Sequence, residues 1–367
     1  MSIMHDVTRD SFMLNGSFAK TGYDWWWHSF TAISEKDGSE RPFFIEFFTV
    51  NPALGSDKVK YGRLGDKPSY LMVKAGTWGK NKAQLHRFFP WSDVRVKKTA
   101  PFEIEASDCF CSEVALRGSV NVTENRPEYM CDTGEITWDL RIKKVIAWNV
   151  GYGASAFLRA IKAFEMYWHA EGMKTEYSGT ITYNGEKFKV TPETCYGYSD
   201  KNWGRGFTSP WVWLSSNELT SNITGKKLSR SVFDIGGGRP KVYFVPLDRK
   251  LLSSFYYEGE EYEFNFSKFW TFSHTEFDCK ESETQIIWHV KQWTPKKMMD
   301  VNITCEKKDM LFVNYEDPLG QKRHNRLFNG GNGIGNIKLY KKKDGKWDLI
   351  DDIKATHIGC EYGEYDK

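Results

Sequence analysis

Apolar and polar residues alternate along many short segments of the chain. The segment Glu261-Tyr262-Glu263-Phe264-Asn265-Phe266 shows the alternation clearly, and it is typical of a strand with one buried face. Similar segments, rich in β-branched and aromatic residues, lie at 41–50, 69–76, 135–142, 179–190, 210–217, 240–247, 261–270, 285–293, 299–306 and 335–342. The pair Asn184-Gly185 divides one of them and predicts a two-residue hairpin turn. The pattern as a whole predicts short antiparallel strands.

One segment, residues 155–173, has a helical spacing instead. Its large apolar residues recur about every 3.6 positions, and Gly172 stands where a helix would end. These apolar residues are Phe157, Ile161, Phe164 and Trp168. We expect a short helix here, or a segment that is partly strand.

The order of elements predicts an all-β fold with little helix. Short strands at close spacing favour antiparallel sandwiches or barrels over alternating strands and helices. The chain has 367 residues, which is enough for two domains. No linker rich in proline or serine divides it, so we place the boundary after the densest motif. The predicted domains are residues 1–207 and 208–367.

Composition and charge exclude several classes of protein. Apolar residues make up 40 % and charged residues 27 %, as in soluble globular proteins. The net charge of only +3 gives no support for a nucleic-acid partner. No run of eighteen apolar residues predicts a transmembrane helix, and the N-terminus lacks an apolar signal region, so we expect a cytoplasmic protein. The seven cysteines are expected to be reduced and mostly buried.

Short motifs for metal, nucleotide or acyl-transfer chemistry are missing. The eight histidines form no HxH or HExxH pattern. The glycine-rich segments 233–241 and 328–336 lack the Lys-Ser/Thr ending of a phosphate loop, and we interpret them as turns or bulges. No GxSxG motif occurs. We therefore expect neither a metal nor an organic cofactor.

An aromatic cluster at residues 22–28, GYDWWWH, is the first candidate site. Successive side chains of a strand point to opposite faces. Trp25 and Trp27 would share one face, and Asp24, Trp26 and His28 the other, where they could form a wall against a ligand. The alternative is a strand covered on both faces, with Asp24 capping a turn.

A second cluster at residues 196–207, YGYSDKNWGRGF, mixes rings with polar and ionisable groups. The residues expected to contact a ligand here are Tyr196, Tyr198, Asn202 and Trp203, followed by Trp211 and Trp213. We expect Asn202 and Trp203 at the mouth or floor of the main pocket, where Gly204 and Gly206 allow a tight backbone. The alternative is a structural corner that binds backbone groups and plugs a barrel.

These motifs resemble the tocopherol cyclase family. YSDKNWGRGF followed by PWVWLSSN, the pairing of YDWWWHSF with FFIEFFTVNPALG, and GEITWDL occur in the family's order within residues 15–240. The resemblance implies two lipocalin-like β-barrels or sandwiches, as in the related AttH-like proteins and carotenoid hydratases, with an apolar pocket between or within them. It also implies cyclisation of a prenylated hydroquinone without a cofactor. The family tends to carry Phe-Glu-Gly-Trp-Tyr at residues 23–27, so Trp25 replaces a glycine and fills space that a long prenyl chain would need.

This chemistry requires an acid that protonates a C=C bond, and rings that stabilise the resulting cation. Asp200 is the first candidate acid, because Tyr198 and Trp203 would remove its hydration and raise its pKa. Asp24 is the second. Lys201 would lower the pKa of Asp200 if the two met, but neighbours on a strand face opposite ways.

The sequence therefore predicts a cofactor-independent, acid-catalysed cyclase or hydratase that acts on an apolar, alkene-bearing small molecule. A non-catalytic carrier of a hydrophobic ligand is the main alternative, since it would need the same pocket. A carbohydrate-active protein is a weaker alternative, because it would need an open groove lined by tryptophans and carboxylates.

Overall fold

The computed structural model describes residues 6–55, 59–60, 65–149, 163–239, 241–242, 245–247, 250–313, 315–321 and 327–364. These residues form strands and short turns of 3-10 helix, and no α-helix occurs among them. The 3-10 turns are Val7–Arg9, Gly16–Ala19, Pro52–Leu54, Trp91–Asp93, Pro127–Tyr129, Phe269–Thr271 and Lys307–Asp309. No helix in the described ranges is long and apolar enough to cross a membrane. The predicted all-β fold is confirmed.

The first sheet contains twelve antiparallel strands. They are β1 (Tyr23–Ser34), β2 (Glu40–Val50), β3 (Tyr70–Thr77), β4 (Ala83–Phe89), β5 (Arg95–Lys97), β6 (Glu103–Ala106), β7 (Cys109–Ser112), β8 (Ala115–Val122), β9 (Gly134–Trp148), β10 (Met166–Tyr183), β11 (Glu186–Val190) and β12 (Gly197–Gly204). Their order is β4-β3-β2-β1-β11-β10-β9-β8-β7-β6-β5, and β12 pairs with both β1 and β10.

The second sheet contains eleven strands, and a separate pair lies beside it. The strands are β13 (Trp211–Ser216), β14 (Glu218–Ser221), β15 (Val232–Gly238), β16 (Lys241–Val242), β17 (Val245–Pro246), β18 (Lys250–Tyr257), β19 (Glu260–Phe264), β20 (His274–Glu281), β21 (Gln285–Trp293), β22 (Lys297–Glu306), β23 (Leu311–Val313), β24 (Leu327–Lys343) and β25 (Lys346–Gly363). Strands β16 and β17 form the separate pair.

The first sheet curls around a core of its own. Strand β1 and the β6–β7 region lie far apart in the strand order, yet their side chains touch. Trp26 of β1 stacks on Phe102 with ring centroids 3.9 Å apart. The His28 Nε2 atom lies 3.4 Å from the Cys111 Sγ atom of β7. One face of β1 therefore points into an enclosed interior, and the other faces the second sheet.

Of the two expectations for residues 155–173, the helix is wrong where the structure describes the chain, and the partly strand alternative is confirmed from Met166 onward. Residues 155–162 lie outside the described residues, whereas β10 begins at Met166 and continues through Gly172. Pairing with β9 on one side and β12 on the other supplies the backbone hydrogen bonds of this segment. The strand is buried on both faces over most of this stretch, so its apolar residues are continuous and imitate a helical spacing.

The turn prediction at Asn184-Gly185 is confirmed, and the interpretation of the glycine-rich segments is partly wrong. Asn184 and Gly185 have φ angles of 49° and 80° and join β10 to β11, as in a hairpin turn. The segments 233–241 and 328–336, however, lie largely within strands β15 and β24 and not in turns. Only β24 shows the expected irregularity, with register shifts after Gly330 and Gly333.

Glycines on the second sheet make room for tryptophans of the first. A Cβ atom at Gly236 would lie 3.1 Å from the Trp168 ring, and one at Gly331 would lie 2.4 Å from the Trp78 ring. The Trp78 Nε1 atom also donates to the Asn329 Oδ1 atom at 2.6 Å. These contacts bring the two sheets together face to face, and the side chains between them are buried.

The change from the first sheet to the second falls between Gly204 and Trp211. Whether this change separates two independently folding domains at 207/208 stays a prediction: the core of the first sheet extends to a few residues of the second, while a separate core cluster lies wholly within the part of the chain that forms the second sheet. All seven cysteines are unpaired, and only Cys279 is not fully buried.

We predict that Gly204→Ala destabilises the protein and that the neighbouring Gly206→Ala does not. A Cβ atom at Gly204 would lie 2.1 Å from the Glu165 backbone oxygen, which cannot move aside without breaking the sheet. A Cβ atom at Gly206 would meet nothing closer than 3.7 Å. Overpacking of this kind costs about 1–3 kcal/mol. Chemical denaturation of both variants measures the change, and equal free energies of unfolding would contradict the prediction.

Candidate functional site

Strand β12 carries the predicted site residues on two different faces. It is buried over its full length and lies between β1 and β10. Side chains alternate along it, so Lys201 and Trp203 point into the interior of the first sheet. Asp200 and Tyr198 point to the second sheet, where they contact Asp234. The two predicted aromatic clusters therefore do not form one wall.

The interior face holds the second candidate acid in an ion pair. The Lys201 ammonium is bound to the Asp24 carboxylate, and both side chains are fully buried. The same ammonium lies 3.7 Å from the centroid of the Trp26 ring, and the Met13 backbone N–H donates to the Asp24 Oδ2 atom at 2.7 Å. Burial raises the pKa of Asp24 to about 6, although Lys201 lowers it. Lys201 therefore pairs with Asp24 and leaves Asp200 alone, as the alternation of a strand predicts.

A second buried group of charges lies on this interior face. The Lys144 ammonium lies 2.6 Å from carboxylate oxygens of Glu113 and Glu171 and 3.2 Å from one of Asp10. These three carboxylates lie close enough together to hold a metal ion, but the lysine ammonium already neutralises part of their charge. His169 completes the group through its Nδ1 atom, 2.8 Å from Asp10. Short-range sequence spacing gave no sign of this group because its members come from four separate segments.

The face toward the second sheet holds a carboxyl pair joined by a tyrosine hydroxyl. The Tyr198 hydroxyl lies 3.1 Å from the Asp200 Oδ2 atom and 3.0 Å from the Asp234 Oδ2 atom. Trp168 donates to Asp200 at 2.8 Å, and Trp213 donates to Asp234 at 3.1 Å. All five side chains are buried. We call Asp200, Tyr198 and Asp234 the carboxyl triad.

Proton counting shows that the carboxyl triad contains at least one carboxylic acid. The Tyr198 hydroxyl has a single proton and can donate it to only one of the two carboxyl groups. The other contact, at nearly the same distance, places two oxygen atoms together, and it is a hydrogen bond only if that carboxyl donates its own proton. A buried pair of like charges would in any case retain a proton.

The electrostatics of Asp200 agree with a protonated carboxyl. The pKa of Asp200 is raised to about 8, mainly because the carboxyl group is buried; the hydrogen bonds from Trp168 and Tyr198 lower it, and the negative charges of Glu361 and Glu46 add to the increase. The pKa of Asp234 is also well above its usual range, first because it is buried and then because Asp200 is near. The Asp200 Oδ1 atom has no hydrogen-bond partner among the described residues.

Next to this face lies a small aromatic cavity of about 20 Å³ between the two sheets. Its walls are Trp25, Met166, Phe207, Thr208, Trp211, Tyr315, Leu327 and Glu361. Trp25 stacks on Tyr315 with centroids 5.2 Å apart. The volume suffices for about one water molecule, so a larger ligand enters only if the rings move apart.

One buried ion pair borders the aromatic cavity. The Lys74 ammonium lies 2.9 Å from the Glu46 Oε2 atom, and the Tyr315 hydroxyl donates to the same oxygen at 3.2 Å. The ammonium also lies 4.1 Å from the centroid of the Tyr315 ring. These contacts hold Tyr315 and its ring in place at the cavity wall.

The predicted ligand contacts are therefore distributed over four places. Tyr198 belongs to the carboxyl triad, Trp213 donates to Tyr198 and Asp234, and Trp211 lines the cavity. Asn202 lies on this same face and accepts from the Tyr23 hydroxyl at 2.9 Å, but neither it nor Trp203 lines the cavity. Trp26, His28 and Trp203 face the interior of the first sheet, where Trp203 stacks on Tyr167. Tyr196 lies apart, with its ring 4.1 Å from that of His357.

Trp168, Asp234 and Glu361 belong to this region although the sequence does not mark them as site residues. Trp168 lies in the segment whose spacing suits a helix or a partial strand, and Asp234 lies at the start of a glycine-rich segment typical of turns or bulges. Glu361 lies in the last strand, where it pairs with Trp213 on one side and Asn329 on the other. No local motif surrounds it, and a charged residue near a chain end carries no signal of burial.

Comparisons with known proteins agree with the fold. A sequence model of a family described as "Tocopherol cyclase-like" matches residues 77–363. Two plant proteins, "Probable tocopherol cyclase, chloroplastic" of Oryza sativa subsp. japonica and "Tocopherol cyclase, chloroplastic" of Zea mays, are each 28 % identical over 148 residues. That region is 38 % of this chain but only 30 % and 29 % of the two plant proteins.

A solved structure has a similar fold over the whole chain. The crystal structure of an AttH-type protein from Nitrosomonas europaea has a TM-score of 0.50 and 12 % identity, and the match covers 100 % of this chain and 97 % of that one. The predicted resemblance to AttH-like proteins is therefore confirmed at the level of the fold.

We predict that Asp200 makes stability fall as the pH rises. The unfolded chain releases this proton near pH 4, whereas the folded protein holds it to about pH 8. Between these values the folded state binds more protons, so the free energy of unfolding decreases with pH, by at most about 1.4 kcal/mol per unit. Asp200→Asn removes this term. In denaturant titrations from pH 4 to pH 8, the free energy of unfolding of Asp200→Asn should increase relative to that of the wild type as the pH rises. A constant difference between the two free energies would refute the prediction.

Proposed function

Because the chain belongs to the tocopherol cyclase-like family, we propose that it is a cyclase- or hydratase-type enzyme that acts on an apolar, alkene-bearing small molecule. The reaction occurs between the two sheets, at the aromatic cavity and the carboxyl triad. One observation carries this proposal: the Asp200 carboxyl group is buried among aromatic side chains and hydrogen-bonded to the Tyr198 hydroxyl, and its other oxygen atom has no hydrogen-bond partner in the described part of the chain.

The first step is proton transfer from Asp200 to the C=C bond. The O–H bond of the acid breaks, a C–H bond forms at the less substituted carbon, and the other carbon becomes a tertiary cation. An acid whose pKa lies near the working pH serves this step best, and burial raises the pKa of Asp200 to about 8. Capture of the cation by a phenol oxygen closes a ring, and capture by water gives an alcohol. Neither route requires a metal or an organic cofactor.

The ring side chains of the cavity stabilise the cation. Trp25, Phe207, Trp211 and Tyr315 all line it, and a well-placed aromatic face contributes up to about 2 kcal/mol to a desolvated cation. The tight closure of the cavity also excludes bulk water, which would otherwise capture the cation at random. A prenylated hydroquinone, the substrate class that the family resemblance implies, is the first compound to test.

We predict that Asp200→Asn abolishes turnover of a prenylated hydroquinone while ligand binding persists. An amide has the size of the carboxyl group but cannot protonate an alkene. Asp24→Asn is the matched comparison, because it changes another buried aspartate on the opposite face and leaves Asp200 intact. Product formation is measured by mass spectrometry, after circular dichroism has shown that each variant is folded.

Three outcomes separate the alternatives. Loss of turnover in Asp200→Asn alone supports the assignment. An active Asp200→Asn variant refutes it, and if a folded Asp24→Asn is then inactive, the acid is Asp24. A wild-type protein that binds the compound tightly but neither cyclises nor hydrates it is a carrier of hydrophobic ligands and not an enzyme.

We further predict that Trp25 limits the length of the substrate chain. Its ring fills the cavity where the family tends to carry a glycine. Trp25→Ala should raise kcat/KM for a long-chain prenyl hydroquinone relative to a short-chain one by about ten-fold or more, since a few methylene groups gain a place to bind. Trp270→Ala, which removes an exposed tryptophan, is the control. An unchanged ratio in Trp25→Ala would contradict the prediction.

A further inference from the structure

Glu361 is the one carboxyl group that lines the aromatic cavity directly, as far as the described residues show. Its Oε2 atom accepts from the Trp211 Nε1 atom at 2.6 Å, and its Oε1 atom accepts from the Asn329 Nδ2 atom at 2.5 Å. The Asn329 side-chain amide cannot flip without losing a hydrogen bond, because its Oδ1 atom accepts from the Trp78 Nε1 atom. Both oxygens of Glu361 therefore face N–H donors, which favour the ionised carboxylate.

Asp200 and Glu361 have opposite hydrogen-bond environments. The Asp200 Oδ1 atom has no hydrogen-bond partner among the described residues, and its Oδ2 atom belongs to a network with a second carboxyl group that favours retention of a proton. Glu361 has an N–H donor at each oxygen and no hydroxyl partner among the described residues. Two nearby carboxyl groups in such different surroundings divide the acid and base roles of a reaction between them.

We propose that Glu361 is the catalytic base of this site. This role of Glu361 rests on the proposed function. After Asp200 has protonated the alkene, the phenol oxygen (or a water molecule) forms a C–O bond with the cationic carbon. The O–H bond of that oxygen breaks, and its proton passes to Glu361. The negative charge of Glu361 also stabilises the cation before capture. Each turnover leaves Asp200 ionised and Glu361 protonated, and proton exchange with solvent restores both.

The groups around Glu361 determine how it titrates. Burial raises its pKa to about 7, the hydrogen bonds from Trp211 and Asn329 lower it, the Glu46 charge raises it and the Lys74 charge lowers it. The charge of Glu361 raises the pKa of Asp200 and of the Tyr315 hydroxyl, so these two groups also respond to its ionisation. A base must be ionised, so activity should fall below about pH 7. The acid Asp200 must be protonated, so activity should also fall above about pH 8.

The experiment follows a prenylated hydroquinone in deuterated water with the wild type, Glu361→Gln and Glu364→Gln. Glu364 is exposed and lies three residues away, just after the end of β25, so its variant controls for loss of a negative charge in this part of the chain. We expect the wild type and Glu364→Gln to give the deuterated ring product. We expect Glu361→Gln to protonate the alkene still, seen as deuterium in recovered or isomerised substrate, but to close the ring about 10²–10⁴-fold more slowly. The decrease in kcat/KM at low pH should be absent in Glu361→Gln.

Two kinds of failure are distinguishable. Ring closure at the wild-type rate in a folded Glu361→Gln, with the decrease in kcat/KM at low pH intact, overturns the role of Glu361 and leaves the proposed function standing. A wild type that neither takes up deuterium nor forms product overturns both. If Glu361→Gln does not fold, Glu361→Asp replaces it. Glu361→Asp keeps an ionisable carboxyl group but shortens the side chain by one methylene group. The proposal therefore requires slower ring closure with the decrease in kcat/KM at low pH retained. An unchanged rate of ring closure refutes it.

Discussion

Strand β12 is buried on both faces, so each of its polar side chains needs a hydrogen-bonding or oppositely charged partner inside the protein. The arrangement of the candidate site depends on this constraint. The motif YSDKNWG places polar and charged groups at consecutive positions of a strand with no solvent-facing side. Alternation sends Asp200 toward the second sheet and Lys201 into the first. Because two neighbours with opposite charge cannot meet on such a strand, each requires a separate set of partners. The interior ion pair and the carboxyl triad are those two sets.

The two candidate acids, Asp24 and Asp200, are consequently stabilised in the protein interior in different ways. A buried carboxylate without a counter-charge is strongly unfavourable. Asp24 meets this requirement with the Lys201 ammonium, which holds it in the charged form. No cation among the described residues pairs with Asp200, and the negative charges of Glu361 and Glu46 add to the effect of burial, so Asp200 keeps a proton. An acid catalyst needs a carboxyl group that keeps its proton at neutral pH, whereas a carboxylate bound to a lysine has no proton to donate.

Close contact between the sheets keeps this site dry. The tryptophan rings of the first sheet lie directly against glycines of the second, as Trp168 does at Gly236. A larger residue at those glycines would separate the sheets and admit water, which would lower the pKa of Asp200 toward its usual range. The same contact makes the cavity small, so the wall that stabilises a cation also limits the size of a substrate. Acidity, cation stabilisation and size selection thus depend on one interface.

Much of this protein follows from local sequence. The alternating aromatic segments determine an antiparallel all-β fold, Asn184-Gly185 determines its hairpin, and strand alternation at residues 200 and 201 separates Asp200 from Lys201. These features depend on a period of two residues or on the φ angles of a turn, which neighbouring residues alone decide.

Long-range pairing decided the remainder. Residues 166–173 became strand because β9 and β12 lie on either side of them, although their apolar spacing also suits a helix. The antiparallel register of β1 and β12, which pairs Asp24 with Trp203 and Trp27 with Asp200, put Asp24 and Asp200 on opposite faces of one strand layer. Asp234 and Glu361 joined the site from strands far along the chain. Their burial and their protonation arise only when distant strands exclude water and supply hydrogen-bond donors, and no local pattern records that environment.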